Sequence, residues 1–157
     1  MPIAQTGAIA RFCGKLSGLY PTEDSISCAL IDQFIDFITD LTNLVYIPSN
    51  SPLTEDEKIQ HRKMLSEGEL KRKLDMLEDN IFANQIWMVG KEMTIADIAI
   101  WRGIGWLASD LVAGIPQPYF VNYPKITKIF KNVDNHPKIC EWVRETYPLN
   151  YNRGYIE

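Results

Sequence analysis

Six residues, Met93-Thr94-Ile95-Ala96-Asp97-Ile98, constrain the fold of this 157-residue chain more than any other segment. Thr94 and Asp97 stand three apart, the spacing of a capping box. The Thr94 hydroxyl is expected to accept from the backbone N–H of Asp97, and the Asp97 carboxylate to accept from that of Thr94. Asp replaces the more usual Glu or Gln at the second position. Met93 before the cap and Ile98 four residues after it are spaced for a hydrophobic staple. The run that follows, Ile98-Ala-Ile-Trp-Arg-Gly-Ile-Gly-Trp-Leu107, is too apolar for a surface helix. The box therefore predicts the start of a buried helix over 94–112, where an unpaired carboxylate would be costly. Taken alone, such a box does no more than start a helix.

The rest of the chain is helical in period. Ile26, Leu30, Phe34, Phe37, Leu41 and Leu44 repeat at steps of three and four, and Ile31, Ile35, Ile38 and Val45 make a second stripe beside them. A helix with so wide an apolar surface is expected to be covered on two sides, by the core or by another subunit. Asp32, Asp36 and Asp40 ladder the remaining face. Ile47-Pro-Ser-Asn-Ser-Pro52 breaks the pattern, and Thr54-Glu-Asp-Glu57 opens another capped helix. Leu70, Leu74, Leu77 and Ile81 continue it on one face, with Gly68 placed for a kink. After a second break at Gly114-Ile-Pro-Gln-Pro118, helices are expected over 123–133 and 137–146, the latter with Pro137 at its first position. Alternation of the strand kind is absent. The fold class is all-α, a bundle of five to six helices around 94–112.

Composition narrows the function classes. Hydrophobic residues make up 46%, enough for one domain with a core. A net charge of −4 gives no electrostatic reason to expect nucleic acid or an anionic membrane as partner. The basic run Lys71-Arg72-Lys73 is flanked by Glu67, Glu69, Asp75 and Glu78 and reads as a solvated helix face. No stretch of about 18 apolar residues and no signal-peptide pattern is present. Cys13, Cys28 and Cys140 show no metal-ligand spacing and read as free thiols of a reducing cytosol. Cys13, among apolar neighbours, reads as a small core residue. His61 and His136 belong to no nucleophile–base set.

Val89-Gly90-Lys91-Glu92-Met93-Thr94-Ile95-Ala96-Asp97 resembles the start of the buried core helix in the C-terminal domain of cytosolic glutathione S-transferases. Gln5-Thr6-Gly7-Ala8-Ile9-Ala10-Arg11-Phe12, running on to Gly18-Leu19-Tyr20-Pro21, looks like the end of that family's thioredoxin-like domain and its linker. Tyr123-Pro124-Lys125-Ile126, followed by His136-Pro137-Lys138-Ile139 and Trp142, looks like its last two helices. The resemblance implies a remnant of the thioredoxin-like domain in 1–20 and a glutathione S-transferase C-terminal-like helical domain in 21–157. It also implies that the catalytic N-terminal domain is almost wholly absent, so no catalytic residue is expected here and Tyr20 belongs to the linker.

The resemblance assigns Gln5 and Thr6 to the γ-glutamyl carboxylate of glutathione. Physically, Thr6 at a helix start offers a hydroxyl and a free N–H to an anion, and a plain N-cap needs the same residue. One inserted residue near Pro21-Thr22 aligns Asp40 with an aspartate that meets the ammonium of glutathione held by a partner subunit; a solvated polar face is the other reading. Trp101, Trp106 and Phe120 either line an apolar pocket for electrophiles or pack a core. No metal and no cofactor are expected, with glutathione as the possible substrate. Two functions remain open: a truncated, by itself inactive part of a transferase, supplying electrophile-pocket and dimer surfaces in the cytoplasm, or a non-catalytic interaction module of a translation or scaffold complex. A homo-oligomer is expected in both.

Overall fold

The computed structural model describes residues 2–109, 111–117 and 119–148. The described residues contain helices and no strand: α1 (Thr6–Ser17), α2 (Ser25–Val45), α3 (Glu55–Glu67), α4 (Glu69–Asn80), α5 (Ile95–Leu107), α6 (Pro124–Asp134) and α7 (Pro137–Thr146), with one 3₁₀ turn at Phe120–Asn122. Helices α2–α7 make the expected all-α bundle, and α1 docks against α2 and α5. Pro118, the last residue of the second predicted break, lies outside the described residues.

The central helix α5 packs chiefly on α2 and α6. Its contact with α2 is close because Gly103 faces Ile38: a Cβ at 103 would sit 2.8 Å from Ile38 Cγ2. Ile100, Ile104 and Leu107 are wholly buried along the helix. The helix ends at Leu107, short of the expected 112. There the Ser109 hydroxyl donates to the Trp106 carbonyl at 2.7 Å, and the backbone N–H groups of Ser109 and Val112 close successive turns. Local side-chain bonding of this kind competes with helix continuation.

Helix α2 divides its two apolar stripes unequally. Ile31, Ile35, Ile38 and Val45 are buried together with Phe34 and Leu41, whereas Phe37 and Leu44 are half-buried and Ile26 and Leu30 are exposed. The helix starts on Asp24, whose carboxylate accepts from the N–H groups of Ile26 and Ser27. Helix α3 starts on the predicted box of Thr54 and Glu57, both halves of which form. Gly68 separates α3 from α4, so the expected kink is a full break with a new helix on the far side. The basic run on α4 is paired within its own helix, Lys71 with Asp75 and Arg72 with Glu69.

Helix α6 begins at Pro124, and Tyr123 before it gives no side-chain cap. Its first free amides are instead taken by α4: the two carboxylate oxygens of Glu78 accept from the N–H groups of Lys125 and Ile126, each at 2.9 Å. The Lys125 ammonium returns to the Glu78 carbonyl at 2.9 Å. A carboxylate on a helix N-terminus is favoured by the helix dipole as well as by the two bonds.

Candidate functional site

The capping box of α5 forms as expected and reaches further than the spacing alone implies. Asp97 is wholly buried. One carboxylate oxygen accepts from the Thr94 N–H at 2.7 Å and from the Thr94 hydroxyl at 2.9 Å. The other accepts from the N–H of Met88 at 2.6 Å, nine residues upstream. The Thr94 hydroxyl accepts in turn from Ala96 N–H at 3.3 Å. Asp97 thus ties the 81–93 connection to the central helix. Burial pushes its carboxyl above the ordinary carboxylate range, opposed by the donors at Met88 and Thr94. Met93 and Ile98 are both half-buried against the core, where a staple would put them.

A cavity of about 500 Å³ opens between α1, α2 and α5. Its walls are mainly apolar, from Ala10, Ile35, Ile38, Ile98, Ala99 and Trp106. Thr6 and Gly7 form the edge contributed by α1, and Arg102 is the cation in the lining. The volume falls within the range of small-molecule pockets. The hydroxyls of Thr39 and Thr42, which also face it, donate to the carbonyls of Ile35 and Ile38 in their own helix.

Of the three aromatic candidates, Trp106 lines this cavity and the other two do not. Trp101 is buried between α5, α6 and α7, where its indole N–H donates to Asp134 at 2.9 Å and its ring meets Trp142 edge-on. Phe120 is packed in the core against Tyr119 and Tyr123. Both are therefore core residues.

Gln5 precedes α1 with φ 72° and ψ 124°, the one positive-φ residue other than glycine among those described. Such a conformation stores roughly 1–3 kcal/mol. Its carbonyl accepts from Ile9 N–H at 3.0 Å, but its side chain makes no cap bond, so the first turn of α1 has no side-chain cap from this residue. Thr6 follows as the first helical residue and is exposed.

The acidic ladder of α2 meets a partner that the sequence reading did not single out. Arg11 of α1 bonds Asp32 at 2.6 Å and Asp36 at 2.7 Å. These bonds, with Asp32 first, raise the Arg11 pKa. The spacing of Arg11 from Gln5-Thr6 carried no signal, because the pairing depends on how α1 crosses α2. Asp40, one turn on, is exposed and makes no ion pair among the described residues. Tyr20 donates to Asp32 at 3.2 Å; burial, then the Cys28 thiol and Asp32, push its hydroxyl up to about 12. A phenol held there stays protonated near neutral pH. Cys13, expected in the core, is exposed: it lies on the outward side of α1 with Ile9, Phe12 and Leu16. His61 is exposed, and His136 caps the start of α7 with its backbone while its buried Nδ1 has no hydrogen-bond partner. Among the described residues no cluster of His, Cys, Asp or Glu could hold a metal, and no helix is long and apolar enough to cross a membrane.

A family model described as glutathione S-transferase, C-terminal domain, matches residues 36–146. Glutathione S-transferase 1 of Ascaris suum is 27% identical over 150 residues, which span 91% of this chain and 68% of that protein. Among solved structures, the monomeric glutathione S-transferase Na-GST-3 of the hookworm Necator americanus superposes with a TM-score of 0.68 at 18% identity, over 95% of this chain and 71% of that one. NaGST-2 superposes with a TM-score of 0.60 at 17% identity over the same shares. The two structural likenesses bear on the fold.

Proposed function

Because this chain belongs to the glutathione S-transferase family, matched through the C-terminal domain, we propose that it carries the electrophile side of a glutathione-conjugating site. The cavity between α1, α2 and α5 takes the apolar electrophile. The N-terminus of α1, at Gln5 and Thr6, takes the γ-glutamyl carboxylate of glutathione. The observation that carries this reading is that Thr6 is at once the first residue of α1 and part of the cavity wall. The anchor for one substrate therefore adjoins the pocket for the other. The strained backbone of Gln5 supports it, since strain of that kind collects at ligand sites. Asp40, exposed on α2, is assigned to the ammonium of glutathione bound by a second copy, and the free thiols fit a reducing cytosol.

In the family the thiol is activated by a hydroxyl of the thioredoxin-like domain. The 157-residue chain tested by itself is therefore expected to conjugate glutathione to an aryl halide at a negligible rate. Binding is the more direct test. One charge-assisted anchor contributes about 1.5–3 kcal/mol, and millimolar affinity needs about 4 kcal/mol. Glutathione alone should bind more weakly than millimolar. S-hexylglutathione adds an alkyl chain worth up to about 0.8 kcal/mol per buried methylene, so calorimetry should find it at least roughly tenfold tighter. Thr6→Ala should weaken it several-fold. Equal affinity for the two compounds, or no effect of Thr6→Ala, would refute the assignment.

A further inference from the structure

Arg102 projects from α5 into the cavity lining, half-buried among isoleucines, Ala99 and Trp106. Its guanidinium makes no hydrogen bond or ion pair among the described residues. Three other arginines of the bundle are held, Arg11 by Asp32 and Asp36, Arg62 by the carbonyls of Val45 and Ala113, and Arg72 by Glu69, while Arg144 on α7 makes no such bond among the described residues but is exposed to solvent. No carboxylate lines the cavity. A cation kept against an apolar wall without a counter-charge is unfavourable unless something supplies one.

The hydroxyls nearby do not supply it. Thr39 and Thr42 spend their protons on helix carbonyls, so they cannot donate to an incoming anion, and as neutral oxygens they balance no charge. Among the lining residues, the cationic group equipped to meet an acid is Arg102. Its planar fork pairs with a carboxylate through two parallel bonds, and the arrangement strengthens where water is excluded.

We infer that Arg102 is a specificity-determining residue, which selects ligands joining an apolar body to a single carboxylate. The acid pairs with the guanidinium, and the body lies against Ile38, Ile98, Ala99 and Trp106. This rests on reading the cavity as the electrophile pocket and adds the chemical class that it prefers.

The test uses two compounds of one shape, naphthalene-1-acetic acid and its neutral amide, titrated calorimetrically into the 157-residue chain at pH 7.4. The acid is expected to bind about tenfold tighter or better, the ratio one charge-assisted pair supports. Arg102→Gln should bring the acid down to the affinity of the amide and leave the amide unchanged. Arg102→Lys, which keeps the charge and loses the fork, should retain part of the preference. Equal binding of acid and amide by the parent protein overturns the role of Arg102 and leaves the pocket standing, and so does a preference that survives Arg102→Gln. Failure of both compounds to bind overturns the pocket and this inference together. The comparison on the parent protein decides the matter even if a variant does not fold.

Discussion

Replacing Asp97 by Ala removes the acceptor of two buried backbone donors, Met88 N–H and Thr94 N–H, and of the Thr94 hydroxyl. Each buried donor left without a partner costs about 1–3 kcal/mol. The two amides together set a gross loss of roughly 2–6 kcal/mol. Against this, the parent must bury a carboxylate, and that cost is recovered in the variant. A net destabilisation of about 2–4 kcal/mol at neutral pH follows. With a urea slope of about 2 kcal/mol per molar, the midpoint should fall by roughly 1–2 M. The pH profile adds a sign. The folded-state pKa of Asp97 is raised, so its contribution is fully present below the unfolded carboxyl pKa and is lost as pH rises through the raised value. The stability difference between parent and Asp97→Ala should therefore be largest near pH 4 and shrink towards neutrality. A urea midpoint for Asp97→Ala equal to the parent's would refute the reasoning, because it would mean that the donors find water or another acceptor at no cost. A difference that grows with pH would refute the sign.

Glu78→Ala removes the cap that α4 lends to α6 and should lower stability by about 1–3 kcal/mol, read as a drop in melting temperature, with Glu78→Gln losing less. Gly103→Ala places a methyl 2.8 Å from Ile38 Cγ2 and should cost about 1–3 kcal/mol; pairing it with Ile38→Ala should recover part of that loss, and no recovery would count against the close approach as the cause. The outward side of α1 exposes Ile9, Phe12 and Leu16 at 44%, 49% and 74%, so sedimentation at micromolar concentration should find a dimer or larger species, and a clean 18.0 kDa monomer would argue otherwise.

The parts of the fold that could be read from the sequence are those that local chemistry specifies. Thr94 with Asp97, and Thr54 with Glu57, mark their helix starts because each box is closed within four residues. Pro124 and Pro137 mark two more by their fixed φ. What could not be read depends on how helices cross. Nothing in the spacing points to Met88 as the second donor to Asp97, to Arg11 as the partner of Asp32 and Asp36, or to Glu78 as the cap of α6. The same limit sorts the aromatic residues. Trp101 and Trp106 stand five apart on α5 and so point to different sides; packing decided that the first meets Asp134 and the second the cavity. Cys13 was misplaced for a related reason: α1 is apolar on more than one side, and the sequence does not say which side the bundle covers.

The bond from Glu78 to the first turn of α6 also bears on how the bundle opens and closes. A helix that carries its own N-cap can form its first turn before it finds its neighbours. Helix α6 has no such side chain, and its acceptor lies 47 residues earlier in the chain. Its first turn is therefore completed only after α4 has docked, at the entropic cost of closing a long loop. The amides of Lys125 and Ile126 then belong to the same cooperative unit as α4. Their exchange with solvent deuterium reports on the departure of α4 as much as on fraying of α6.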